Sequence, residues 1–311
     1  MELIKIEKLD PTLMENTLTE EECDKLLQEI LDIVSSDKPT INQAVREAVD
    51  PTAIVTGIAG VAMVIAMMRK FIKNKYSLTA KKLLDQSKEV NDLYTKIDDL
   101  LKHDKMARFK HRNDVVSTEM KYIVLQDRRN GKMYTIVIDY LVYDPDAVMQ
   151  TVNQMMDYLN QSKPSDEDAL ITNWADELIK SLDSSFDENH WYVAQCQPLL
   201  KSEVYKSIKL EKILMSYKTT FGNIYTWIAA INKTTSQQMT YLQFVEKAYK
   251  SAMSTHGTTK ARKEALDKVF KRVLELATKS ITFNTDVMNV LTEEIKHYAG
   301  ELQRFYDMLK S

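Results

Sequence analysis

Apolar side chains recur at helical spacing over most of the chain. Thr19 and Glu22 fit a capping box, and apolar residues follow it every three or four positions. This pattern predicts a helix that begins at about residue 20 and ends near Ser35. The same spacing predicts further helices, at about residues 40–49, 77–112, 145–161, 166–183, 199–217, 220–254, 259–280 and 284–309.

A seven-residue repeat lies within the predicted helix 77–112. Leu83, Val90 and Ile97 form this repeat, which is typical of a helix that packs along one seam against another helix. The partner helix can belong to the same chain or to a neighbouring subunit.

One segment departs from the helical period. β-rich runs lie on both sides of Asn130 and Gly131, and this pair predicts a hairpin turn, because both central residues of a two-residue turn need positive φ. The predicted β-hairpin covers about residues 119–143 and pairs Leu125 with Ile136. Both faces are apolar near the middle, so we expect helices or strands of another subunit to cover them.

Residues 51–68 form an uncharged helical stretch. Eighteen residues rise about 27 Å in a helix, close to the ~30 Å hydrocarbon core of a bilayer. Small residues four positions apart would allow close helix packing in lipid. The candidate residues of this membrane or interaction helix are Ala53, Gly57, Gly60, Val61, Val64 and Met68.

A basic flank follows this stretch, formed by Arg69, Lys70, Lys73 and Lys75. Residues 1–50 carry 13 acidic and 5 basic side chains, a net charge of −8, whereas residues 69–112 carry 13 basic and 6 acidic, a net of +7. If residues 51–68 span a membrane, this asymmetry places the C-terminal part in the cytoplasm. The stretch also fits a helix buried within a bundle, or one released into a membrane later, and the pattern leaves the three interpretations open.

The predicted fold class is mainly α, an irregular multi-helix bundle with one β-hairpin and one hydrophobic helix. Gly and Pro, at 6 residues each, are too rare for an all-β or a doubly wound α/β fold. The predicted segments are an acidic N-terminal arm with short helices (1–50), the hydrophobic helix followed by a basic coiled-coil-like helix (51–113), the hairpin plus helices (114–195), and a C-terminal helical bundle (196–311).

Composition and motifs narrow the chemistry. A net charge of −3 gives no overall field that favours nucleic acid, and Cys23 and Cys196, the only cysteines, exclude a disulfide framework. The sequence contains no phosphate-binding glycine loop and no nucleophile elbow. Glu293 and His297, four residues apart, fit an exposed helix face better than a metal site. No catalytic residue, metal site or cofactor is predicted.

The sequence favours a non-enzymatic structural or interaction protein, such as a virion component of a large tailed phage or a part of another large assembly. The expected partners are protein subunits, either copies of this chain or others. A membrane is a further candidate partner, and nucleic acid is not expected. The expected location is the virion or the host cytoplasm, with a membrane as the alternative.

Two other functions stay open at this point. The first is a membrane-anchored or membrane-inserting protein that uses residues 51–68. The second is an enzyme with a carboxylate site, because paired carboxylates leave little signature in a sequence.

Overall fold

A computed structural model of the chain describes residues 18–38, 44, 59–102, 116–135, 153, 157, 168–189, 196–208, 210–257 and 259–310. In these ranges the protein is mainly helical and has one antiparallel sheet, which confirms the predicted fold class. The elements in chain order are α1 (Glu20–Val34), α2 (Ala59–Lys102), β1 (Val116–Asp127), β2 (Met133–Thr135), α3 (Asp168–Asn189), β3 (Cys196–Ile208), α4 (Leu210–His256) and α5 (Lys260–Lys310).

The chain divides into two compact units. Unit 1 consists of Met1–Ser77, Val142–Gln195 and Thr234–Phe283. Unit 2 consists of Leu78–Leu141, Cys196–Lys233 and Asn284–Ser311. Helices α2, α4 and α5 each contribute one segment to both units. The units are therefore built from discontinuous stretches, whereas the four segments predicted from the sequence are continuous.

Helix α1 begins and ends where the capping pattern predicted. The Thr19 hydroxyl accepts a hydrogen bond from the Glu22 N–H at 3.3 Å, and the Glu22 carboxylate accepts one from the Thr19 N–H at 2.7 Å, so both halves of the capping box form. Ser35 is the C-cap residue. The apolar side of α1 is buried, and each buried Ile or Val side chain contributes about 1.5–3 kcal/mol.

Helix α2 joins two helices that were predicted separately. The sequence predicted an apolar helix to residue 68 and a polar one from residue 77. Phe71, Ile72 and Tyr76 are fully buried, so the buried stripe continues through the basic flank without a break. The predicted interruption is wrong because residues on the buried side keep the helical period.

Helices α3 and α5 are also longer than predicted. α3 continues past the predicted helix 166–183 to Asn189, and α5 runs without a break across the gap between the predicted helices 259–280 and 284–309. The predicted helices 40–49 and 145–161 fall almost entirely outside the described residues. The predicted break between helices 220–254 and 259–280 is confirmed, because α4 ends at His256 and α5 begins at Lys260. In this break a Cβ atom on Gly257 would lie 2.6 Å from the Met253 carbonyl oxygen.

The sheet has the strand order β2-β1-β3. Strand β3 covers residues that the sequence assigned to the start of helix 199–217, and that prediction is wrong. β1 gives β3 a ladder of antiparallel partners that runs from Val116 opposite Ile208 to Asp127 opposite Cys196. This long-range pairing provides hydrogen-bond partners for the backbone groups of β3. It outweighs the local pattern, in which the apolar residues fit both the helical and the strand period.

Within unit 1, α2 is antiparallel to α4 and α4 is antiparallel to α5. Tyr76 donates a hydrogen bond to Gln238 at 2.9 Å, while Arg69, about two turns earlier in α2, lies 3.7 Å from Glu246, further along α4. The Gln238 amide in turn donates to the Ser280 hydroxyl at 3.4 Å, while Tyr249, further along α4, donates to Asp267, which lies earlier in α5, at 2.6 Å. These contacts place the buried sides of the three helices together.

Candidate interaction site

The described half of the hydrophobic helix is buried in unit 1. Ala53 and Gly57 lie outside the described residues. The other four candidates are all buried in α2: Gly60, Val61, Val64 and Met68. Ala66, on the opposite side of the helix, is exposed. This one-sided burial is what a helix within a bundle requires.

Among the residues that the structure describes, none of the helices combines the length and the apolar composition needed to cross a bilayer. Residues 51–58, the first part of the predicted hydrophobic helix, are not among them.

The basic flank is not one uniform surface. Arg69 pairs with Glu246 of α4, and Lys70 is exposed. Lys73 is half-buried, and Lys75 is buried. The four cations therefore point to different surroundings.

Lys75 attaches α1 to α2. Its side chain is only 4% exposed, and its ammonium lies 2.8 Å from the Asp24 carboxylate and 3.5 Å from that of Glu20. The neighbouring Asn74 carboxamide accepts a hydrogen bond from the Leu18 N–H at 3.2 Å. A charge that the sequence analysis assigned to the basic flank therefore holds the N-terminal end of α1.

A second buried lysine holds the other end of α1. The Lys271 ammonium of α5 donates hydrogen bonds to the Ser36 carbonyl oxygen, at 2.6 Å, and to the Lys38 carbonyl oxygen. These carbonyls follow the last turn of α1, where backbone oxygens lack helical partners and favour a positive charge. No local pattern indicates this contact, because Lys271 is more than 200 residues away from α1.

A small cavity lies among α2, α4 and α5 in unit 1. Its volume of about 10 Å³ is at the lower limit of the space for one ordered water. The polar residues at its lining are Gln238, Tyr241 and Ser280, and burial raises the pKa of the Tyr241 hydroxyl. The hydrogen bonds that connect Tyr76, Gln238 and Ser280 define the register of α2, α4 and α5, since buried polar groups must meet specific partners.

The β-hairpin of unit 2 has a four-residue loop instead of a two-residue turn. Asp127 N donates to the Lys132 carbonyl oxygen at 2.9 Å, which closes a loop of residues 128–131. Leu125 consequently pairs with Tyr134, and the predicted pairing with Ile136 is wrong by two residues. Because the shift is even, each side chain keeps its predicted face.

Asp127 organises this loop. Its carboxylate accepts hydrogen bonds from the Arg129 N–H at 2.8 Å, from the Asn130 N–H at 3.4 Å and from the Asn130 side-chain amide at 2.7 Å. Burial alone would raise the pKa of Asp127, but these hydrogen bonds and the Arg129 charge lower it below its usual value. Gly131 donates to the Asp127 carbonyl oxygen at 2.8 Å and has a φ of +64°, which favours glycine.

Both predicted turn residues lie in this loop, whereas the role of Asp127 was missed. An Asp at the first position of a turn is a known signal, but the Asn-Gly pair suggested a shorter turn.

The hairpin tip, residues 128–133, is the part of unit 2 that carries exposed cations and an exposed apolar side chain together. Arg128, Arg129 and Lys132 are all exposed. Met133 is 50% exposed and is the one large hydrophobic side chain found exposed among the described residues. Because Asp127 holds the loop, these side chains extend from an ordered base.

Two carboxyl groups of unit 2 have a raised pKa. Burial raises the pKa of Asp286, although Arg128 opposes this effect, and burial raises the pKa of Glu294 to about 7. The two residues are eight positions apart in α5, a rise of about 12 Å. Catalytic carboxylate pairs are ~5–9.5 Å apart, so these two groups are separate sites.

Comparison with known protein families, with curated proteins and with solved structures returns no match for this chain. Its candidate residues are consequently identified by their burial, charge and hydrogen bonds.

Proposed function

We propose that this protein is a non-enzymatic structural or interaction protein, a component of a large assembly such as the virion of a tailed phage, and that the hairpin tip contacts an acidic protein surface. The observation that carries this proposal is the set of three exposed cations and one exposed methionine on a loop braced by Asp127. Exposed arginines beside an apolar side chain are suited to a protein contact.

The bracing supports this function because an ordered loop loses less entropy on binding than a mobile one. Charge complementarity would select an acidic partner and speed its approach. The expected contact is therefore sensitive to ionic strength.

Photo-cross-linking in cells that produce the protein tests the proposal. Met133 is replaced by photoreactive p-benzoyl-phenylalanine, and the same replacement at Gln243, which is exposed on α4, serves as the control. We expect discrete protein adducts from position 133 and none from position 243. Absence of a protein adduct at position 133, with the variant folded and irradiated to completion, would overturn the proposed function.

A further inference from the structure

Helix α1 presents a surface that is complementary in charge to the hairpin tip. Its fifteen residues contain six carboxylates and one lysine. The buried side of the helix faces unit 1 through Cys23, Ile30, Ile33 and Val34, so the carboxylates are left on the exposed side.

The acidic face of α1 consists of Glu21, Glu29 and Asp32. All three are exposed, and 100° per residue places them within a sector of about 80°. The exposed Lys25 lies in the same sector, so three carboxylates and one ammonium give this face a net charge of −2. Glu20 and Asp24, by contrast, lie toward Lys75, and Glu22 completes the capping box. The acidic face is therefore distinct from the carboxylates that attach α1 to α2.

The hairpin tip is smaller than the acidic face. The hydrogen bond between Asp127 and Lys132 brings their Cα atoms to about 5.5 Å, so the Cα atoms of Arg128 and Lys132 are at most about 9 Å apart. Glu21 and Asp32 are eleven residues apart in a helix, a rise of about 16 Å. A loop with three cations can therefore lie along part of the acidic face, and its long side chains can contact more than one carboxylate.

We infer that the hairpin tip of one copy of this chain docks on the acidic face of α1 in a second copy. The inference rests on the proposed function and names the partner. The two surfaces differ, so each copy offers one tip and one acidic face. Two copies can exchange both contacts about a two-fold axis, or successive copies can form a ring or an open filament.

Charge-reversal pairs in the full-length protein test the inference. The tip variant combines Arg129→Glu with Lys132→Glu and leaves Arg128, because that residue lies near Asp286. The helix variant combines Glu29→Lys with Asp32→Lys, which suits the C-terminal half of a helix.

Sedimentation velocity at low ionic strength then measures association. We expect wild type to associate with rising concentration, and each variant alone to associate at least about tenfold more weakly, since several ion pairs are lost. An equimolar mixture of the two variants should regain association. The acidic tip of one variant then meets the basic helix of the other, and the unchanged tip and helix also meet.

The control variant combines Lys247→Glu with Lys279→Glu, two exposed lysines elsewhere, and should associate like wild type. Circular dichroism melts establish that each variant is folded. If the tip variant fails to fold, Arg129→Gln with Lys132→Gln replaces it and should still weaken association.

A wild type that stays monomeric at every concentration overturns the inference, as does a mixture that fails to regain association. If the monomer nevertheless gives a cross-link from position 133 to a different protein, the proposed function stands and only the second copy is excluded. Binding of a DNA duplex by a monomeric wild type, lost in the tip variant, would instead assign the tip to nucleic acid.

Discussion

Two sets of cations in this protein are used in opposite ways. Lys75 and Lys271 of unit 1 point inward and hold the two ends of α1. Arg128, Arg129 and Lys132 of unit 2 point outward from a hairpin loop. The role of a positively charged side chain in this protein therefore depends on its burial and on the partners available to it.

The inward pair depends on its partners. An ammonium removed from water loses several kcal/mol of hydration, which only nearby carboxylates or carbonyl oxygens can offset. Lys75 meets carboxylates that are themselves about half exposed or more, so little of their hydration is lost. The outward set keeps its hydration until a partner arrives.

The largest expected effect on stability comes from a charge placed in the core without a hydrogen-bond or ion-pair partner. Val64→Lys places an ammonium at a fully buried position of α2, and we expect a loss of more than about 4 kcal/mol or failure to fold. Ala66→Lys, two residues away on the exposed side, should change stability by less than about 0.5 kcal/mol. Urea unfolding compares the two. Equal stability of the two variants would contradict the described burial of this helix.

Glu294 is a buried acidic side chain of unit 2. Burial raises its pKa from 4.5 to about 7 in the folded protein, so the folded state holds the proton more tightly than the unfolded state. Its contribution to folding is therefore most favourable below about pH 4.5 and is lost as pH rises to about 7.

Glu294→Gln should remove this loss, and relative to wild type it should gain about 2–3 kcal/mol between pH 4.5 and pH 8. Urea unfolding at a series of pH values measures the gain. Glu293→Gln, at an exposed neighbouring position, is the control and should show no comparable trend. A flat difference between wild type and Glu294→Gln would mean that Glu294 is solvated in the folded protein.

Lys271→Met tests whether the inward cations hold α1. The variant keeps the apolar stem but leaves the Ser36 and Lys38 carbonyl oxygens without the ammonium, and we expect a loss of about 2 kcal/mol. Lys268→Met removes only a pair with Asp176, in which both side chains are about half exposed, and should cost less than about 1 kcal/mol. Limited proteolysis should cut the α1 region faster in Lys271→Met than in Lys268→Met. Equal rates would show that α1 docks without the lysine.

The smallest expected effect on stability concerns the loop that carries the exposed cations Arg128, Arg129 and Lys132. Gly131→Ala forces an L side chain into a φ of +64° and should destabilise the protein by about 1 kcal/mol. Gly300→Ala adds a Cβ atom in open space on the exposed side of α5, where alanine favours the helix by about 0.5–1 kcal/mol. Thermal melts should therefore shift in opposite directions. A shared direction would contradict the loop geometry described for residues 128–131.

Local patterns predicted the elements whose causes are local. The capping box at Thr19 defined the start of α1, because its hydrogen bonds connect residues three positions apart. The repeat of Leu83, Val90 and Ile97 is buried as a seam, since side chains on one face of a helix share one environment.

Local sequence patterns gave wrong predictions where residues far apart in the chain determine the local structure. Strand β3 was assigned to a helix because its own sequence fits both periods, and only β1 supplies the partners that make it a strand. The role of Lys271 was invisible for the same reason, as its acceptors lie 233 and 235 positions away.

Local sequence patterns were sufficient to predict that this chain is mainly helical, that a hairpin loop contains Asn130 and Gly131, and that helix α1 is capped at Thr19. These features depend on backbone preferences and on contacts within a few residues. Packing between distant segments sets which cations are buried and which are exposed. A cation is buried only where partners from distant parts of the chain offset its loss of hydration. The residues next to it in the sequence do not show which partners these are.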